Sequence, residues 1–139
     1  MHQTAVFWPM LAQVLLVYIV YLVMLKRRYL AVKSGEAKVS HYKVRSTEPV
    51  SSVTVANNLI NQFELPVLFH VLCLALFVTN GVNYLTLALL WLFVVTRYVH
   101  AFVHLGRNNL LHRSRAFFLG AGILLVAWIW FALHLTGAV

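Results

Sequence analysis

The sequence predicts an all-α membrane protein, folded as a four-helix antiparallel transmembrane bundle. Composition is the first reason: 62% of the 139 residues are hydrophobic, 10% are charged and the mean hydropathy is +0.83. No soluble domain of this size buries so much apolar surface. The second reason is that the apolar residues fall into four runs, each close to the roughly 20 residues that cross a bilayer. The third is that one long basic segment and two brief connections join those runs, leaving no room for a second large domain.

The first run covers residues 5–25 and is followed by Lys26, Arg27 and Arg28. A cleavable signal peptide carries its positive charge ahead of a shorter apolar core, so this segment is expected to remain as a permanent first helix. Residues 26–52 form the long polar loop, punctuated by Ser34-Gly35 and Glu48-Pro49. The second span, 53–78, opens with Asn57, Asn58, Asn61 and Glu64 and then turns apolar. Thr79-Asn80-Gly81-Val82-Asn83 is a turn signal that sends the third span, 84–105, back beside the second. A connection carrying Arg107, Arg113 and Arg115 leads to the fourth span, 116–135.

Charge orients the bundle. The long loop holds Lys26, Arg27, Arg28, Lys33, Lys38, Lys43 and Arg45 against Glu36 and Glu48, and the connection before the fourth span holds the three arginines above. Both basic segments lie on one side, which the positive-inside rule makes cytoplasmic, so both termini are expected on the non-cytoplasmic side, with a cell inner membrane as the location. The same rule accounts for the formal charge of +8 without nucleic acid as a partner. Trp8 and Tyr84 fit interfacial anchors near the outer ends. Cys73 is the only cysteine, which excludes an internal disulfide and a cysteine-based zinc cluster, and reads as a small apolar residue.

Glu64 and Arg97 are the only acidic and basic residues well inside a span, and pairing them as a structural ion pair is the usual way to tolerate both. Asn57, Asn61 and Glu64 stand at i, i+4 and i+7 on the second span, and Arg97, His100 and His104 stand at i, i+3 and i+7 on the third. Two polar faces meeting across a hairpin imply a hydrated, anion-tolerant pocket or interhelical hydrogen-bond glue. His100, His104 and Glu64 also have the composition of a two-His-one-carboxylate metal triad, although His70, His112 and His134 are scattered and no metal is assigned. Arg113-Ser114-Arg115 opens the fourth span, where helix N–H groups and guanidinium charge favour a thiolate or cap the helix on its basic side.

With these residues in view the chain resembles the membrane-associated proteins in eicosanoid and glutathione metabolism (MAPEG), specifically a microsomal glutathione transferase-like member. The resemblance rests on Asn61-Gln62-Phe63-Glu64-Leu65-Pro66, on Arg97-Tyr98-Val99-His100 through His104-Leu105-Gly106, and on Arg113-Ser114. In that family an Asn-x-x-Glu followed by Pro marks the second span. An Arg-x-x-His-x-x-x-Tyr stretch and then an Arg-Ser mark the third span and the start of the fourth. The resemblance implies a homotrimer that binds glutathione between neighbouring subunits. Asn61, Glu64, His100 and His104 would be its contacts, Arg113 and Ser114 the catalytic pair that stabilises the thiolate, and Arg97 the buried ionic partner. Three positions depart from the pattern: His104 replaces the family tyrosine, Ile60 replaces an arginine before the span-two Asn, and Pro66 follows Glu64 unusually closely.

The leading expectation is a glutathione-dependent transferase or peroxidase acting on a lipophilic electrophile, with membrane lipid around it. The alternative is a non-catalytic binding or scaffold protein on the same fold, favoured by Ile60 and His104. A third reading is a metal-dependent membrane oxidase using His100, His104 and Glu64.

Overall fold

The computed structural model describes residues 2–43, 48–106 and 108–137. Arg45 and Arg107, which enter the charge argument, lie outside them. Five α-helices form: α1 (Phe7–Lys33), α2 (Val50–Asn61), α3 (Leu65–Val78), α4 (Tyr84–Leu105) and α5 (Leu110–Leu135). Consecutive α2 and α3 make one span, giving four segments long and apolar enough to cross a membrane. No strand occurs among the described residues.

Two helices overrun the apolar runs that define them. Leu, Ala, Lys and Arg after residue 25 are all good helix formers, so α1 continues through its basic cluster to Lys33. α5 starts at Leu110 because Asn109 caps it, its side-chain oxygen accepting from the amides of Leu111 and His112 at 3.0 and 3.3 Å. The second span is interrupted instead of continuous. Pro66 has no N–H for the carbonyl four residues earlier, and its ring collides with that carbonyl in a helix interior. Helix α2 therefore ends at Asn61, and α3 restarts with Pro66 in its first turn, where proline is tolerated.

The end of the bundle away from the basic segments is closed by three elements meeting at the α3–α4 turn. Asn83 caps α4, accepting from the Thr86 amide at 2.9 Å. Gln3 brackets the turn, accepting from the Val82 amide at 3.0 Å and donating to the Val82 carbonyl at 3.3 Å. From α5, His134 Nε2 lies 3.2 Å from the Thr79 carbonyl. Gly81 permits that approach, since a Cβ there would meet the His134 ring at 2.8 Å. Beneath the turn Phe69, Leu72, Cys73, Leu76, Phe93 and Phe131 form the larger apolar core; a smaller cluster around Val20, Val55 and Ala101 lies toward the basic end.

Helices α4 and α5 cross where Gly120 faces Thr96, and a Cβ on Gly120 would stand 2.5 Å from the Thr96 hydroxyl. Small residues set the distance between helices in this way. Gly122, two residues on, has nothing within 4 Å of such a Cβ. Alanine at either position raises helix propensity equally, so the two isolate packing. Gly120→Ala is expected to lower stability by about 1–3 kcal/mol and Gly122→Ala to leave it unchanged or raise it, measured by melting in detergent.

Candidate functional site

The polar residues of the spans assemble where α2 breaks against α4. Arg97, His100 and His104 are all buried on one face of α4, as their spacing predicts. Arg97 Nη2 donates to the Asn61 carbonyl at 2.8 Å. In an unbroken helix that carbonyl would accept from residue 65, so the break frees the acceptor that Arg97 uses. The Arg97 guanidinium also lies over the Phe117 ring of α5, 5.8 Å from its centroid, within cation–π range. Its Nε and Nη1 are buried without partners.

His100 joins three helices. Its Nδ1 is 3.1 Å from the Arg113 carbonyl and its Nε2 is 3.4 Å from the Asn61 amide nitrogen. One neutral tautomer satisfies both: Nδ1–H donates to the carbonyl and Nε2 accepts from Asn61. His104 packs edge-on against His100 with ring centroids 5.7 Å apart.

Alongside this cluster runs a ladder of buried amides. Gln13 of α1 donates to Gln62 at 3.0 Å, Gln62 donates to Asn58 at 3.0 Å, and Asn58 donates to the Ala101 carbonyl at 3.3 Å. The inner face of α2 therefore runs through Ser52, Val55 and Asn58, whereas Asn57 is exposed. The expected stripe of Asn57, Asn61 and Glu64 is not formed, because the helix ends before Glu64 can stay in register. Gln13, the lone amide within the first apolar run, is the signal that points to this ladder.

Glu64 makes no contact with Arg97 short enough for an ion pair, though its charge still acts on the guanidinium from farther away. Glu64 is exposed and lines a cavity of about 590 Å³ between α1, α2 and the later part of the long loop. The expected Glu64–Arg97 ion pair does not form; the ion pair found among the described residues is Arg28–Glu48, at 2.8 Å. Arg28, Lys43, Glu48 and Glu64 put charges of both signs around the cavity, and Ile60 supplies part of its apolar wall. Tyr42 closes one side, with the Arg28 guanidinium 5.0 Å from its ring centroid. Tyr21 and Phe63 are shared with an apolar groove of about 490 Å³ between α1 and α3, so a polar chamber adjoins a lipid-facing one. Neither Arg28 nor Lys43 is distinguishable from orientation charge by sequence alone.

Arg113 ends the first turn of α5 and Ser114 begins the second. Arg113 Nη1 donates to Asn108 at 2.7 Å, and the Ser114 hydroxyl donates to the Leu110 carbonyl at 2.7 Å. They adjoin His100 through the Arg113 backbone and are not part of the cavity that holds Glu64. The metal triad is likewise not assembled: no group of three His, Cys, Asp or Glu side chains converges among the described residues.

A four-span helical membrane protein with a buried Arg-His-Asn cluster and a mixed-charge chamber beside it defines the class. The chain belongs to the MAPEG family, whose family model matches residues 5–133. No curated protein and no solved structure matches it.

Asn58→Leu should cost about 1–3 kcal/mol, because it leaves the buried Gln62 amide without its acceptor. Glu64→Gln should melt within about 0.5 kcal/mol of the parent, as expected for an exposed carboxylate making no ion pair. A large loss from Glu64→Gln in detergent melting would restore the intramembrane pair.

Proposed function

We propose that the protein is a glutathione-dependent membrane transferase or peroxidase acting on a lipophilic electrophile. The carrying observation is the chamber at the α2–α3 break, whose size falls within the usual 300–1,000 Å³ of ligand pockets. Glutathione has two carboxylates, one ammonium and a thiol. Lys43 matches a carboxylate and Glu64 matches the ammonium, while Arg28 and Glu48 are tied to each other in the chamber wall. The adjoining groove, lined by residues such as Val14, Val67 and Leu74, suits an apolar co-substrate arriving from lipid. Family membership supports the same class of chemistry.

Arg113 and Ser114 would act on sulfur. A guanidinium and a hydroxyl at a helix start lower the cost of a thiolate. That thiolate attacks the electrophilic carbon, the leaving group departs with its electron pair, and the thiol proton passes to water. Because the charged chamber and the Arg113-Ser114 pair lie on different sides of one chain, the reading requires that neighbouring copies in a homotrimer bring them together. Asn61, His100 and His104 then act from inside, holding α2, α4 and α5 in place around the site. Ile60 in the chamber wall favours a second reading, a binding or scaffold protein without catalysis.

The bundle is proposed to lie with its basic end in the cytoplasm and both termini opposite. Introduced cysteines at Ser40 and Tyr84, both exposed, check this: an impermeant reagent applied to intact cells should label the one at Tyr84 and spare the one at Ser40. The enzyme reading predicts heat on titrating glutathione into detergent-purified protein and conjugation of an aryl halide. Arg113→Ala should keep the oligomeric state and lose about 10²-fold in conjugation, the size of a lost oxyanion donor. Lys33→Ala should match the parent. Should the parent neither bind glutathione nor conjugate, the scaffold reading stands.

A further inference from the structure

The seam between α4 and α5 has no part in the function proposed above. Two cavities of about 350 and 410 Å³ lie along it and share Val103 and His112, forming one furrow. Val95, Val99 and Leu119 wall its inner length and are each about half exposed or more, so in a membrane they face hydrocarbon. Thr96 on its floor spends its hydroxyl on the Phe93 carbonyl at 2.6 Å, leaving the inner furrow apolar. From Val95 to Val103 the furrow follows α4 for about 12 Å at 1.5 Å per residue. At the basic end it reaches Arg115 and His112, both exposed.

Arg115 differs from its neighbour Arg113. The Arg113 guanidinium is tied to Asn108 at 2.7 Å, whereas Arg115 makes no hydrogen bond or ion pair with another described residue. No Asp or Glu lines the furrow; Glu36, Glu48 and Glu64 all belong to other parts of the molecule. A free cation at the mouth of an apolar channel that opens sideways into lipid matches an anionic headgroup on an acyl chain. A zwitterionic headgroup would bring a cation to a mouth that has no carboxylate to receive it.

We propose that the α4–α5 furrow binds an anionic phospholipid, its phosphate held by Arg115 with His112 beside it and one acyl chain lying along Val95, Val99 and Val103. Sidedness of the membrane does not enter, since head and tail are matched by the furrow itself. The site is separate from the glutathione chamber and stands or falls independently of it.

The test is lipid retention by the detergent-purified full chain, read by native mass spectrometry with phosphatidylglycerol and phosphatidylcholine of the same acyl chains. Phosphatidylglycerol should be retained about fivefold better, the ratio worth one basic side chain near an anionic headgroup. Arg115→Gln should abolish that preference. Val99→Trp, at an exposed wall position, should block the furrow and lose the retained lipid while every charge remains. Lys33→Gln should behave as the parent. Equal retention of the two lipids by the parent overturns the site. So does a preference that survives Val99→Trp, which would mean general attraction to a basic surface with no use of the furrow.

Discussion

A guanidinium buried at the middle of a helical bundle constrains everything packed around it. Desolvating such an ion costs several kcal/mol, and within hydrocarbon no water reduces that cost. Among the described residues, Arg97 meets the constraint by direct contact with a backbone carbonyl and the face of Phe117, with Glu64 acting only from farther away. An intact second span would have committed the Asn61 carbonyl to its own helix. Pro66 breaks the span close enough to release it, so one proline supplies the acceptor that makes the buried arginine tolerable. Three helices are thereby held to one atom group: α2 by its terminal carbonyl, α4 by the arginine and α5 by the phenyl ring.

The break has a second consequence. Once α2 stops at Asn61, the side chains beyond it are released from the helical register, and Glu64 leaves the interior for the chamber beside α1. The interior becomes a neutral hydrogen-bonded network of amides and an imidazole with one cation, while the carboxylates gather outside it. The buried amides and the chamber's charged groups are thus kept apart, on different faces of the second span.

The four spans were legible because apolar length is a property of sequence alone. So was the α4 face of Arg97, His100 and His104, since α4 is an unbroken helix and spacing holds along it. The partners were not legible. Asn57 and Asn58 are adjacent, and only tertiary packing decides that Asn58 is buried and Asn57 exposed. Glu64 and Arg97 are the natural pair by charge and depth, yet the geometry of a helix end outweighs both. The Gln13–Gln62–Asn58 ladder joins residues 49 positions apart, a link no local pattern encodes.

Ile60 bears on whether the chamber is a remnant or a working site. At its position in the chamber wall an arginine would bring a cation from α2, and isoleucine brings none. Instead Arg28 reaches in from α1, held by a bidentate pair of hydrogen bonds to Glu48 at 2.9 and 2.8 Å, and Lys43 joins it from the loop. Two carboxylates and two cations line the space, with Arg28 and Glu48 satisfying each other. The chamber therefore carries charge of both signs without any from α2, its cations coming from α1 and from the connection before α2.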